Sequence, residues 1–168
     1  MKSYLAVLFG TTLSVLSSLA QAQQTVVLVR HAELMGGQAM AEPKHVPLSE
    51  AGEARAQRLA SFLKDSGISA IYVTDFVRTN KTAEPLSREL KMAPTVLPKG
   101  DPAVLVERLR DQHGGGTVLL VGHTDTLPGL IRALGHPQEI KIEPQDYGNL
   151  FIVVPKAGDA PTFLRLHY

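Results

Sequence analysis

The 168-residue chain has no cysteine and no tryptophan, and its aromatic content is 5%. Without cysteine there is no disulfide scaffold, thiolate zinc site, iron–sulfur cluster or cysteine nucleophile. Scarce aromatics argue against a platform on which bases stack. A charge excess of one sign is missing too: 17 Lys and Arg face 16 Asp and Glu, a formal net charge of +1. Nothing in that balance suits a nucleic-acid backbone, so nucleic acid is not an expected partner. What is present is 44% hydrophobic and 20% charged residues. That supplies enough apolar surface to offset the ordering entropy of one ordinary compact domain.

The N-terminus stands apart from that domain. Met1-Lys2-Ser3 carries one positive charge, 4–19 is almost wholly apolar or small, and Ala20-Gln21-Ala22 is a small-x-small exit before Gln23-Gln24. This order reads as a secretory signal peptide over 1–22, followed by a single domain over 23–168. The run is shorter than the ~20 apolar residues that span a bilayer, and no cysteine follows it for lipid attachment. An exported protein is expected, periplasmic in a Gram-negative bacterium and otherwise secreted, with no stable membrane anchor after cleavage. Oligomeric state is not legible.

Beyond Gln23, buried-strand and helical patterns alternate. The runs at 25–29, 70–73 and 118–121 are apolar without polar alternation, as in strands covered on both faces. Helices are expected over 49–65, with Ser49 as N-cap, and from about Lys81 to Leu90, with Pro85 near the first turns. Two more are expected over 101–110, with Asp101 as cap and Pro102 in first position, and over 124–134, closed by Gly135. Segments 149–154 and 162–166 read as an antiparallel hairpin at one edge. The alternation predicts an α/β fold with a mostly parallel sheet.

In such sheets, ligands bind beyond the carboxyl ends of the strands. The first strand runs into Arg30-His31-Ala32-Glu33, the second into Thr74-Asp75 with Arg78 and Thr79 opening a helix, and the third into Gly122-His123-Thr124-Asp125. Two arginines and two histidines should therefore meet over one sheet edge. Arginine forks and helix N-termini suit phosphate oxygens, and an unprotonated imidazole there can attack phosphorus. His45, His113, His136 and His167 sit in polar or turn-like stretches and are read as ordinary surface or structural residues. Gly114-Gly115-Gly116 precedes a strand, whereas phosphate-cradling glycines follow one, so it is read as a flexible connection.

Four segments in order resemble the histidine phosphatase superfamily, the phosphoglycerate-mutase-like proteins. They are Val27-Leu28-Val29-Arg30-His31-Ala32-Glu33, Pro47-Leu48-Ser49-Glu50-Ala51-Gly52, Val73-Thr74-Asp75-Phe76-Val77-Arg78-Thr79-Asn80-Lys81-Thr82-Ala83 and Val121-Gly122-His123-Thr124. The resemblance implies a three-layer α/β/α sandwich and a phosphohistidine formed on His31. It assigns phosphoryl binding to Arg30, His31, Arg78 and His123, and implies no metal and no cofactor. The expected ligand is a small phosphorylated substrate or inorganic phosphate.

Ala32 stands where glycine is common, and Asp125 where the family often has asparagine. Members generally use a carboxylic acid to protonate the leaving oxygen; Asp101, Glu107 and Asp125 are the candidates here, with Glu33 weaker. The 34–45 segment, with Gly36-Gly37, is expected to form a mobile loop over the pocket. The short chain and the export signal favour a phosphatase over a mutase. Two other readings stay open: a catalytically impaired relative that binds phosphate or a phospho-ligand, and a two-histidine metal hydrolase using Asp125. If both imidazoles must hold defined protonation states, the rate should vary with pH across the histidine range.

Overall fold

A computed structural model of the chain describes residues 24–36, 44–97 and 100–168. The signal peptide expected over 1–22 and most of the expected pocket loop lie outside the described residues. The elements are β1 (Thr25–Arg30), α1 (Glu50–Leu63), β2 (Ile68–Thr74), α2 (Val77–Leu90), β3 (Thr95–Leu97), α3 (Pro102–His113), β4 (Thr117–Gly122), α4 (Leu127–Ala133), β5 (Asn149–Lys156) and β6 (Asp159–His167). The strands form a six-stranded sheet in the order β3-β2-β4-β1-β5-β6. Its first four strands are parallel, and β5 and β6 complete it as an antiparallel edge hairpin.

The apolar runs alternate sides along each strand. Val26 and Leu28 of β1 join Val118 and Leu120 of β4 in a cluster with Val106, Leu109, Leu127 and Ile131 from α3 and α4. Val27 and Val29 join Ile71, Val73, Leu119 and Val121 in a second cluster with Leu59, Leu63, Ala83 and Leu86 from α1 and α2. The sheet is thus the middle of three layers. Each of these valine, leucine and isoleucine side chains contributes about 1.5–3 kcal/mol on burial, which explains why its strands carry no polar alternation.

Local signals set several boundaries. Ser49 accepts a hydrogen bond from Gly52 N and caps α1, with Glu50 and Glu53 in the first turn. Gly52 is needed for close approach: a Cβ there would lie 2.2 Å from Glu33 O, on the segment leaving β1. Asp101 accepts from Ala103 N and caps α3, as its sequence pattern suggests. Gly116 lies against β2, where a Cβ would meet Ser69 Oγ at 2.3 Å.

Three expectations need correction. Helix α2 begins at Val77 rather than near Lys81, so Pro85 falls in its interior. The first turn is polar in sequence yet packed inward: Arg78, Thr79 and Thr82 are buried, and Thr82 Oγ1 bonds to Arg78 O and receives Ala32 N. Pro85 leaves the carbonyl of Lys81 without its helical donor, but Lys81 is exposed to solvent. Helix α4 spans Leu127–Ala133 rather than 124–134, because His123 O accepts Thr126 N and Leu127 N in a turn that precedes it. Strand β3 was not anticipated; only Leu97 of its three residues is buried.

Candidate active site

Strand register assembles the site. Arg30 of β1 pairs with Gly122 of β4, so the next residues, His31 and His123, emerge side by side. Their ring centroids are 5.4 Å apart. Val73 pairs with Val121, which brings Thr74, one residue on, beside the same edge. These residues line a cleft of about 1180 Å³ together with Arg30, Arg78 and the rim residues Lys44, Asp75 and Asp125.

His31 is buried, and its Nδ1 lies 2.8 Å from Ala32 O. A carbonyl can only accept, so Nδ1 carries the proton and Nε2 carries the lone pair. Nε2 has no hydrogen-bond partner among the described residues and is not sealed from solvent. Burial lowers the His31 pKa from its usual 6.5 to about 3; the Ala32 bond opposes this, while electrostatic interactions with His123, Arg30 and Arg78 add to it. His31 is therefore neutral throughout the ordinary histidine range. This corrects the expectation for this residue: its own titration moves to about pH 3.

Arg30 is held from behind by the segment leading into β5. Its Nη1 donates to Pro144 O at 2.7 Å, and its guanidinium lies 4.0 Å over the Tyr147 ring. Arg78, on the first turn of α2, is buried and stacks 4.1 Å over Phe76. Its Nη2 and Nε approach His123 Nδ1 at 3.3 and 3.4 Å. His123 Nε2 lies 2.7 Å from Thr74 Oγ1. The sequence reading missed Tyr147, Pro144 and Thr74; Thr74 had a visible signal, since it ends a strand beside the arginine motif.

The candidate acids fall in different places. Asp101 is exposed and spent on capping α3, and Glu107 is exposed on the same helix; neither lines the cleft. Glu33 is held by both oxygens to Arg55 Nε at 2.9 Å. Burial would lift the Glu33 carboxyl, but its bonds with Arg55 outweigh that and keep it below the usual range. Asp75 pairs with Lys44 at the rim. Asp125 is exposed on the cleft wall and makes no hydrogen bond or ion pair among the described residues. No group of three His, Asp or Glu among the described residues is placed to share a metal ion. Of the histidines read as ordinary, His113 bonds Tyr72 Oη at 2.7 Å, His136 stacks on Phe163 at 3.9 Å, and His167 reaches Asp146 at 3.4 Å.

Known proteins agree with this architecture. Residues 26–99 match the model of the histidine phosphatase superfamily, branch 1. The fold is similar to that of the protein histidine phosphatase SixA complexed with tungstate, with 22% identity, 85% of this chain and 96% of that one covered, and a TM-score of 0.70. It is also similar to a mycobacterial glucosyl-3-phosphoglycerate phosphatase, with 16% identity, 86% and 97% covered, and a TM-score of 0.65. PE-PGRS family protein PE_PGRS11 of Mycobacterium tuberculosis is 36% identical over 107 residues, 59% of this chain. The match spans 18% of that relative's length. Over residues 26–99 the chain resembles the histidine phosphatase superfamily, and its fold is the one these structures share.

Proposed function

We propose that this protein is an exported phosphatase that hydrolyses phosphate monoesters through a phosphohistidine on His31, without a metal. The observation that carries this reading is the bond between His31 Nδ1 and Ala32 O, with a pKa of about 3. It leaves a permanent lone pair on Nε2 in an arginine-lined cleft. The SixA structure was solved with tungstate, a tetrahedral oxyanion, which fits a site of this composition.

In the first step the Nε2 lone pair forms a bond to phosphorus. The ester P–O bond breaks, its electrons leave with the alcohol oxygen, and a carboxylic acid protonates that oxygen. Arg30 and Arg78 hold the charge on the equatorial oxygens. In the second step a water oxygen attacks phosphorus, the N–P bond breaks, and its electrons return to Nε2 while water gives its proton to the carboxylate that protonated the leaving oxygen. Asp125 is assigned as the acid, because Asp75 and Glu33 are ion-paired and Asp101 is a cap.

The test is hydrolysis of nitrophenyl phosphate and of an alkyl phosphate, each in excess chelator. Turnover that survives the chelator and vanishes in His31→Ala is expected. Loss of turnover in chelator contradicts the metal-free chemistry, and phosphate binding without any turnover supports the impaired relative instead. Asp125→Asn should slow the alkyl ester far more than the nitrophenyl ester, whose leaving group needs no proton. Equal slowing of both removes Asp125 as the acid. N-terminal sequencing of the protein recovered outside the cytoplasm tests export, and an intact Met1 there contradicts cleavage after Ala22.

A further inference from the structure

We propose that Thr74 is a positioning residue whose hydroxyl fixes the tautomer of His123 and, through it, the aim of Arg78. A guanidinium can only donate, and both Arg78 Nε and Nη2 approach His123 Nδ1, at 3.4 and 3.3 Å. Nδ1 must therefore present its lone pair, which places the imidazole proton on Nε2. That proton is donated to Thr74 Oγ1 at 2.7 Å. The Thr74 hydroxyl then has its own hydrogen to place, and Thr79 Oγ1 stands 3.1 Å away. Thr79 Oγ1 in turn donates to Thr74 O or Phe76 O, both at 2.9 Å.

The chain ends on backbone carbonyls, which have no hydrogen to return, so it runs in one direction only. Thr79 is fully buried, which keeps water from substituting for its link. The Phe76 ring, with its centroid 5.0 Å from that of His123, fixes the imidazole plane from one side. Without the Thr74 acceptor, the proton of neutral His123 is free to move to Nδ1. There it opposes the N–H groups of Arg78, and the guanidinium turns from the place it occupies beside the cleft. Partners that orient a functional histidine in this way typically carry about 10- to 100-fold in activity.

Three variants and two readouts test this. In Thr74→Val, which keeps the shape and loses the hydroxyl, turnover should fall about tenfold and inhibition by inorganic phosphate should weaken. Thr74→Ser should restore both, and Thr79→Val should give a smaller loss in the same direction. Nitrogen-15 NMR of histidine-labelled protein, assigned with His123→Gln, reads the tautomer directly and independently of turnover. The wild type and Thr74→Ser should show His123 protonated at Nε2; Thr74→Val should show a mixture. A Thr74→Val protein that keeps the Nε2–H form overturns the proposal, as does a Thr74→Ser protein as impaired as Thr74→Val. The assignment of Thr74 rests on the phosphatase reading only for its turnover arm. A wild type that hydrolyses no phosphate ester removes that reading, while the NMR arm still decides the role of Thr74.

Discussion

The two halves of the site are held in different ways. On the β1 side, His31 and Arg30 are anchored to main-chain oxygens, those of Ala32 and Pro144. On the β2–β4 side, His123 and Arg78 are anchored to each other and to the Thr74 hydroxyl. Main-chain acceptors stay in place whatever side chain their residue carries. The first half is therefore robust to substitution around it, and the second relies in part on the replaceable Thr74 hydroxyl. The proposed chemistry divides along the same line: His31, the proposed nucleophile, sits in the half held by main-chain oxygens, and Arg78 in the other.

That division predicts a graded series of losses. His31→Ala should lower turnover by about 10⁴-fold or more, as removal of a nucleophile does, while inorganic phosphate, held by Arg30, Arg78 and His123, still stabilises the fold. The variant's thermal shift with added phosphate is the measurement; loss of that shift contradicts phosphate binding by the two arginines and His123. Arg78→Ala should cost about 10²- to 10³-fold in kcat/KM and weaken phosphate inhibition in parallel. Unchanged phosphate inhibition would remove Arg78 from the anion site. Tyr147→Leu should cost only about 2- to 5-fold, the lower end of the cation–π range, although both partners are buried, because Pro144 O still holds Arg30. A loss larger than that of Thr74→Val would reverse the ranking of the two halves.

A separate effect is on stability. His31 has a folded-state pKa of about 3 against an unfolded value near 6.5. Below pH 6.5 the unfolded chain binds a proton that the folded site refuses, so the folded state loses stability as pH falls toward 3. Above pH 6.5 the contribution is flat. The urea midpoint should therefore drop from pH 7 to pH 5, and drop less in His31→Gln. Equal slopes for the two proteins would contradict the buried neutral imidazole.

Much of this arrangement can be read in the residues themselves. The apolar runs of β1 and β4 are pure because both faces are covered, and the cap Asp101 with Pro102 marks the start of α3 without ambiguity. Arg30, His31, Arg78 and His123 stand out because each follows a buried strand or opens a helix. The edge strand β3 leaves no such mark, since Thr95 and Val96 remain exposed. The start of α2 was obscured because its inward-facing residues are polar: Arg78, Thr79 and Thr82 find their partners inside the site rather than in a hydrophobic layer. Pro144 acts through its carbonyl, which no sequence pattern records, and Tyr147 reaches Arg30 from a segment 117 positions away along the chain. Among the acids, spacing could not separate Asp101, which caps, from Asp125, which faces the cleft.

The central claim is that Nε2 of His31 takes the phosphoryl group. Rapid quench of the enzyme during turnover, followed by peptide mapping of the acid-labile phosphoryl group, tests it directly. One phosphoryl group is expected on the peptide containing His31, attached at Nε2 and absent from His31→Ala. Label on His123, or turnover with no label on any histidine, would contradict it.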